Sequence, residues 1–190
     1  EVERPSLAEI AASIISKGYK TENRMVLNYS VIRSGAGIAT GWALNEVTVE
    51  RDGTTMVELF VQIDDRPLSR WGCDGLICST PTGSTAYAFS AGGPVLWPEI
   101  DALVLLPISA HALFSRPMVV SPQSQIIVEI ESSDALLSAD AIRKLPLRPG
   151  DRVLITKDDS VIKLAHIKPT LFTDRLVAKF KLPVEGCRGE

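Results

Sequence analysis

The sequence predicts a mainly β fold of the β-sandwich type with a few short helices, and three observations carry that prediction. Runs rich in β-branched and other apolar residues recur at close spacing, at 24–33, 42–51, 55–63, 73–79, 102–107, 124–131, 151–156 and 160–166. Turn residues punctuate them, as in Arg51-Asp52-Gly53, Asp64-Asp65-Arg66-Pro67 and Arg148-Pro149-Gly150-Asp151. Helical patterns between the runs are few, which argues against a parallel βαβ sheet. With 190 residues and 45 % hydrophobic content, the chain is long enough for one well-buried core and short for two, so a single domain over 1–190 is expected.

Taken in order, the first element is a helix over about 7–17. Ser6 and Glu9 form a capping box, Leu7, Ile10, Ile14 and Ile15 recur at helical spacing, and Gly18 follows. Gly35-Ala36-Gly37 has the start of a dinucleotide-binding glycine fingerprint, but Thr40 stands where its third glycine belongs, so it reads as a strand-end turn. Ser84 to Ala91 combines small, helix-tolerant residues with Gly92-Gly93-Pro94 as a stop, which predicts a short helix inserted after a strand. Over 173–181, Leu176, Val177 and Phe180 share one helical face, and Pro183 is the expected terminator.

Composition narrows the function classes. Lys plus Arg total 20 against 23 Asp plus Glu, net charge −3, with no basic stripe, so nucleic acid is not an expected partner. The most apolar stretch, Ala102 to Phe114, is interrupted by Pro107, Ser109 and His111 and falls short of the roughly 18 residues of a membrane span. No charged leader precedes it, so a cytoplasmic protein without membrane partners is expected, and a first residue of Glu1 rather than Met reads as part of something longer. Cys73, Cys78 and Cys187 have neither disulfide-scaffold nor zinc-pair spacing and read as buried or incidental thiols. His111 and His166 lack metal-ligand spacing, Asp64-Asp65 reads as a solvated turn, and Trp42, Trp71 and Trp97 as packing residues. Phosphate-binding Walker A, GxSxG and HExxH motifs are all missing from the sequence.

Two segments remain as candidates for chemistry. The run from Gly72 to Tyr87 reads as a buried strand leaving into a polar loop that opens a helix. Gly83 permits close approach of a ligand or of another backbone, and the amides of the next helical turn are expected to point outward. Thr82, Ser84 and Thr85 add hydroxyls and Tyr87 a ring for stacking. An ordinary capped strand-to-helix turn has the same composition, and the residues alone leave both readings open. In Leu44-Asn45-Glu46-Val47, a carboxamide beside a carboxylate suits a vicinal diol, although by pattern alone a strand with polar residues facing solvent is favoured.

Together these segments resemble the NAD kinase family. Its TPTGSTAY-type loop, preceded by Asp-Gly and followed by Gly-Gly-Pro, stands almost complete from Asp74 to Pro94, and its Asn-Glu pair matches Asn45-Glu46. Ala110 to Pro117 is similar to the family segment ending in Arg-Pro, and Pro149-Gly150-Asp151 to its later turn, so the likeness spans essentially the whole chain and is strongest to actinobacterial members. The resemblance implies the C-terminal domain of an enzyme that moves phosphate from ATP or polyphosphate, with Mg²⁺, to the 2'-hydroxyl of the adenosine ribose of NAD. By the same resemblance Asn45 and Glu46 hold ribose hydroxyls and the diphosphate side, Thr82, Thr85, Ala86 and Tyr87 frame the adenine, and Asp74 with Ala86 and Ser90 reaches the nicotinamide half across a subunit contact. A homodimer or homotetramer is implied.

The chain departs from the family pattern in places. Gly72 replaces an Arg found in many members, so no phosphate contact is carried over there, and Asp140-Ala141-Ile142 replaces an Asp-Gly-Gln-like turn, leaving Asp140 without an assigned role. The family's GGDGT loop, whose aspartate activates the 2'-hydroxyl, does not occur in these residues, and neither metal ligands nor catalytic residues are assigned among them. Phosphoryl transfer depends on positioning and electrostatic stabilisation. The expectation is therefore that these 190 residues do not phosphorylate NAD alone, and that the helices near 7–17 and 173–181 pack on an N-terminal α/β domain. The alternatives are a diacylglycerol- or sphingosine-type lipid kinase domain, or a non-catalytic β-sandwich that serves oligomerisation.

Overall fold

Alternation of apolar and polar residues converts the predicted runs into strands, and the computed structural model describes residues 5–168 and 170–183. The strands are β1 (Lys20–Arg33), β2 (Ala36–Ala43), β3 (Glu46–Arg51), β4 (Val57–Ile63), β5 (Arg66–Cys73), β6 (Gly75–Ser79), β7 (Leu103–Ile108), β8 (Met118–Val120), β9 (Ile126–Ile130), β10 (Ala135–Ala139), β11 (Arg143–Leu147) and β12 (Arg152–His166). The helices are α1 (Leu7–Ile15), α2 (Tyr87–Ser90) and α3 (Phe172–Phe180), with a 3-10 turn at Gly83–Thr85. They form two sheets, ordered β2-β1-β12-β9-β4-β5 and β11-β10-β3-β6-β7-β8. The expected mainly β architecture is the one observed.

By contacts the chain divides into one unit of Arg24–Ile162 and another of Glu1–Asn23 with Lys163–Glu190. In the larger unit the two sheets face each other. Leu27, Val31, Leu59, Val61, Val128 and Ile155 from the first sheet and Val47, Val49, Leu76, Leu105 and Leu137 from the second fill one continuous core. Trp71 is fully buried and donates its indole N–H to the Phe114 carbonyl at 3.1 Å. Trp42 and Trp97 are nearly half exposed. Burial pushes the Cys73 thiol up to about 11 and the Cys78 thiol up to about 12, as expected of inert core cysteines. Cys187 lies outside the described residues.

Several elements differ from the sequence expectation. The run 42–51 is two strands, because Leu44 and Asn45 leave the β2 ladder before β3 starts. The runs 151–156 and 160–166 are one strand, β12. Strands β8, β10 and β11, and all but the last residues of β2 and β5, lie outside the predicted runs; β2, β5, β8 and β11 lie at sheet edges, where an unpaired side tolerates Pro67 and Pro146 and weakens the apolar alternation. Asp64 and Asp65, both with positive φ, make the predicted exposed turn, but the Asp64 carboxylate also accepts from the Gln125 amide at 2.8 Å and the Ser124 hydroxyl at 3.1 Å.

In the smaller unit the capping box of α1 forms as predicted, with Ser6 and Glu9 bonded reciprocally. The helix stops at Ile15 because Lys17 turns left-handed at φ +54°. Likewise α3 ends on Lys181 at φ +49° and not on Pro183. Glu22 lies 2.9 Å from His166 Nε2 and 3.6 Å from Arg175 Nη2, giving His166 the structural role expected of it. Leu7, Ile14 and Ile15 of α1 are exposed, and no residue of α1 or α3 is fully buried.

Candidate functional site

Strand β3 determines where polar groups gather. Its odd positions Val47 and Val49 enter the core between the sheets, so Glu46, Thr48 and Glu50 project from the outer face of the second sheet. On that face, Ile77, Val104 and Leu106 are covered by Ala88, Ala91 and Leu96 of the segment after the loop. Beside this apolar half the face is polar. A cavity of about 300 Å³ runs over β3, β10 and β11, lined by Glu46, Thr48, Glu50, Arg51, Tyr87, Leu136, Ser138, Ala141 and Lys144. The strand reading of Asn45-Glu46 as solvent-facing is thus corrected. Glu46 is 6 % exposed and Thr48 3 % exposed, and Tyr87 lines the same cavity wall.

The structure brings the two candidate segments into direct contact. The Thr80 amide donates to the Asn45 carbonyl at 2.9 Å, and the Thr80 hydroxyl donates to the Leu44 carbonyl at 2.7 Å. Ser79 Oγ also donates to the Asn45 carbonyl at 3.2 Å. What Gly83 admits is another backbone: a Cβ there would lie 2.1 Å from the Asn45 carbonyl oxygen. Nor are the amides of this turn open to solvent. Gly83 N–H donates to Thr80 Oγ1, Ser84 N–H to the Thr80 carbonyl and Ala86 N–H to the Gly83 carbonyl. Ser84, also expected to offer a hydroxyl, is fully buried, donates to the Pro81 carbonyl and accepts from the Leu96 amide, so it pins the Gly92-Gly93-Pro94 segment to the loop.

Asp140 supplies a second support that the sequence left unassigned. Its carboxylate accepts from the Leu44 amide at 2.9 Å, the Asn45 amide at 2.7 Å and the Glu46 amide at 3.4 Å, and pairs with Arg143 at 2.7 Å. Both Asp140 and Ala141 have positive φ, so the chain turns sharply at this point to present the carboxylate. Arg143 in turn donates to the Trp42 carbonyl and stacks on the Trp42 ring at 4.5 Å.

Burial raises the Glu46 carboxyl to about 7, with Asp140 and Glu50 adding repulsion and the Tyr87 amide opposing them. Its Oε2 has no hydrogen-bond partner. The fold therefore favours protonated Glu46, a contribution that is complete below about pH 4.5 and lost as pH rises through about 7. Glu46→Gln, neutral at all pH, is expected to leave the melting temperature unchanged at pH 4.5 and to stabilise the protein by about 2 kcal/mol at pH 8. Equal effects at the two pH values in calorimetry would contradict this assignment.

Of the predicted residues, Glu46 and Tyr87 line the cavity, with the Asn45 backbone behind Glu46. Thr82, Thr85 and Ala86 are half-buried in the adjoining loop, and Ser90 is exposed at the end of α2. Asp74 sits at the other end of β3, paired with Arg51 at 2.7 Å. None of these five is among the cavity-lining residues. Residues that the sequence reading missed are Thr48, Glu50, Ser138 and Lys144. Glu50 accepts from Thr48 at 2.7 Å and from the Tyr87 hydroxyl at 3.2 Å, which fixes the Tyr87 ring at the cavity edge. The alternation Glu46-x-Thr48-x-Glu50 was a signal for Thr48 and Glu50, while Ser138 and Lys144 join them only through strand pairing.

Comparison with known proteins gives a consistent picture. The family described as the ATP-NAD kinase C-terminal domain matches residues 44–167. An NAD kinase of Thermobifida fusca is 46 % identical over 100 % of this chain and 60 % of its own length, and NAD kinase 2 of Streptomyces coelicolor is 47 % identical over 100 % and 64 %. The chain thus spans about three fifths of the length of these relatives. Among solved structures, yeast NADH kinase complexed with NADH superposes with a TM-score of 0.89 at 24 % identity, covering 96 % of this chain and 56 % of that one. An NAD kinase from Archaeoglobus fulgidus in complex with ATP gives a TM-score of 0.70 at 28 % identity, covering 92 % and 65 %.

Proposed function

This chain belongs to the NAD kinase family, and from that membership we propose that its parent protein phosphorylates the 2'-hydroxyl of the adenosine ribose of NAD to give NADP, with ATP or polyphosphate as donor. The observation that supports a role for this site is the buried, unpartnered Glu46 Oε2 in a cavity edged by Tyr87. A buried carboxyl oxygen without a partner carries a desolvation cost that a ligand hydroxyl relieves. In this reading Glu46 and Asn45 receive the ribose hydroxyls, while Tyr87 with Thr82, Thr85 and Ala86 frames the adenine. Asp74, Ala86 and Ser90 take the nicotinamide half across a contact between copies in a homodimer or homotetramer. That assembly rests on the family resemblance alone, as does packing of α1 and α3 on an N-terminal domain; a cytoplasmic location belongs to the same proposal.

No group of three or more His, Cys, Asp or Glu among the described residues is arranged to hold a metal ion. Mg²⁺ would enter with the phosphates of the donor, which supply much of its oxygen shell. The GGDGT motif does not occur in these 190 residues. Their part in the reaction is accordingly recognition: they bind and orient the acceptor, and the base and donor site belong elsewhere in the parent protein. Glu46→Ala in the parent enzyme is expected to lower kcat/KM for NAD by about a hundredfold, the scale of losing an orienting contact. NADP formation by the purified 190 residues would overturn the division of labour, and full activity of the Glu46→Ala enzyme would overturn the site. The oligomerisation reading predicts instead that NAD leaves the melting temperature unchanged.

A further inference from the structure

We propose that Lys144 is a specificity-determining residue that takes the phosphate charge of the bound nucleotide in the trough over β3, β10 and β11. The inference rests on the reading above that this trough receives an adenosine ribose at Glu46. Lys144 pairs across β11 and β10 with Ser138, and Ser138 pairs with Thr48 of β3. All three line the cavity, so they make one row across the sheet that ends on the exposed Lys144. Adjacent strands are about 4.8 Å apart, so this row sets the lysine two strands from the Thr48 position, one step along β3 from Glu46.

The other cations around the trough are already committed. Arg51 pairs with Asp74 at 2.7 Å, and Arg143 pairs with Asp140 at 2.7 Å while stacking on Trp42. Lys144 has no such partner among the described residues. Without it the cavity wall carries the carboxyl groups of Glu46 and Glu50 and the committed Arg51, and no free positive charge meets a phosphate there. Glu46 Oε2, buried and unpartnered, marks independently that this cavity is shaped for a hydrogen-bonding ligand. A ligand that offers hydroxyls to Glu46 and also carries negative charge has one uncommitted cation to meet, and that cation is Lys144. A point-charge ammonium suits a phosphate that is contacted and then released.

The test measures binding of adenosine, adenosine 5'-diphosphate and adenosine 2'-monophosphate to the parent enzyme by calorimetry. Lys144→Gln is expected to weaken one or both phosphorylated probes about tenfold, with the deficit shrinking as salt rises, while adenosine stays within about twofold. The probe that loses affinity identifies whether the contact is to the 5'-diphosphate or to the 2'-phosphate, and Lys144→Arg is expected to restore most of it. Unchanged affinity for both phosphorylated probes would show a solvated lysine and overturn the proposal, as would an equal loss on adenosine. Glu46→Gln is the separate control for the underlying reading. If it leaves adenosine affinity unchanged, the trough is not the ribose site and the role of Lys144 falls with it.

Discussion

Gly83→Ala is expected to destabilise the protein by about 3 kcal/mol, the upper end of ordinary overpacking, and to lower the melting temperature by roughly 6–12 °C for a domain of this size. The added Cβ would meet the Asn45 carbonyl oxygen at 2.1 Å, its carbon at 2.5 Å and Ser79 Oγ at 2.6 Å. Two of these atoms are backbone, so relief requires the Asn45-Glu46 corner to move away from the loop. Nucleotide affinity of the parent enzyme should fall with stability. Gly37→Ala is the control: its Cβ would meet nothing within 4 Å, and its effect should stay within about 0.5 kcal/mol. Equal costs for the two substitutions in denaturant unfolding would refute the close-approach role of Gly83.

Asp140→Ala is expected to cost about 3–5 kcal/mol, the range for removing one partner of a largely buried charge pair. The Asp140 side chain is 11 % exposed, and its loss strands the Leu44, Asn45 and Glu46 amides together with Arg143. Asp140→Asn keeps tolerance of the positive φ and some acceptor capacity, so it should cost less. It also removes a negative charge that helps raise Glu46, and the titration of Glu46 should move down from about 7. An unchanged Glu46 titration, followed by NMR, would sever the electrostatic link between the two carboxyls.

These two substitutions show where sequence reading succeeds and where it stops. Gly83 is legible as a site of close approach because glycine in a polar loop has few other uses. Whether a ligand or the chain itself approaches was open, and the answer depends on residues 38 positions away. Asp140 looked like a degraded turn, since neither its positive φ nor the amides it serves, 94 to 96 residues distant, leave a local pattern. For Ser84 the sequence left a ligand contact and an ordinary turn both open, and the hydroxyl ties the loop to Leu96, because a hydroxyl reads alike whether its partner is solvent or a buried carbonyl.

The sequence by itself determined the mainly β class, the capping box of α1, the exposed turn at Asp64-Asp65 and the family carried by Asn45-Glu46 and the loop at Thr80–Tyr87. Each of these is written within a few residues, as a period of two, a cap spacing, a turn composition or a contiguous motif. Only the tertiary structure decided that Glu46 is buried, that Asn45 packs on Gly83, that Asp140 holds the corner between them, and that Lys144 stands over the same trough. Burial and hydrogen-bond satisfaction depend on strands β3, β6, β10 and β11 being neighbours in one sheet, and that order is set by long-range pairing that leaves no periodicity in the chain.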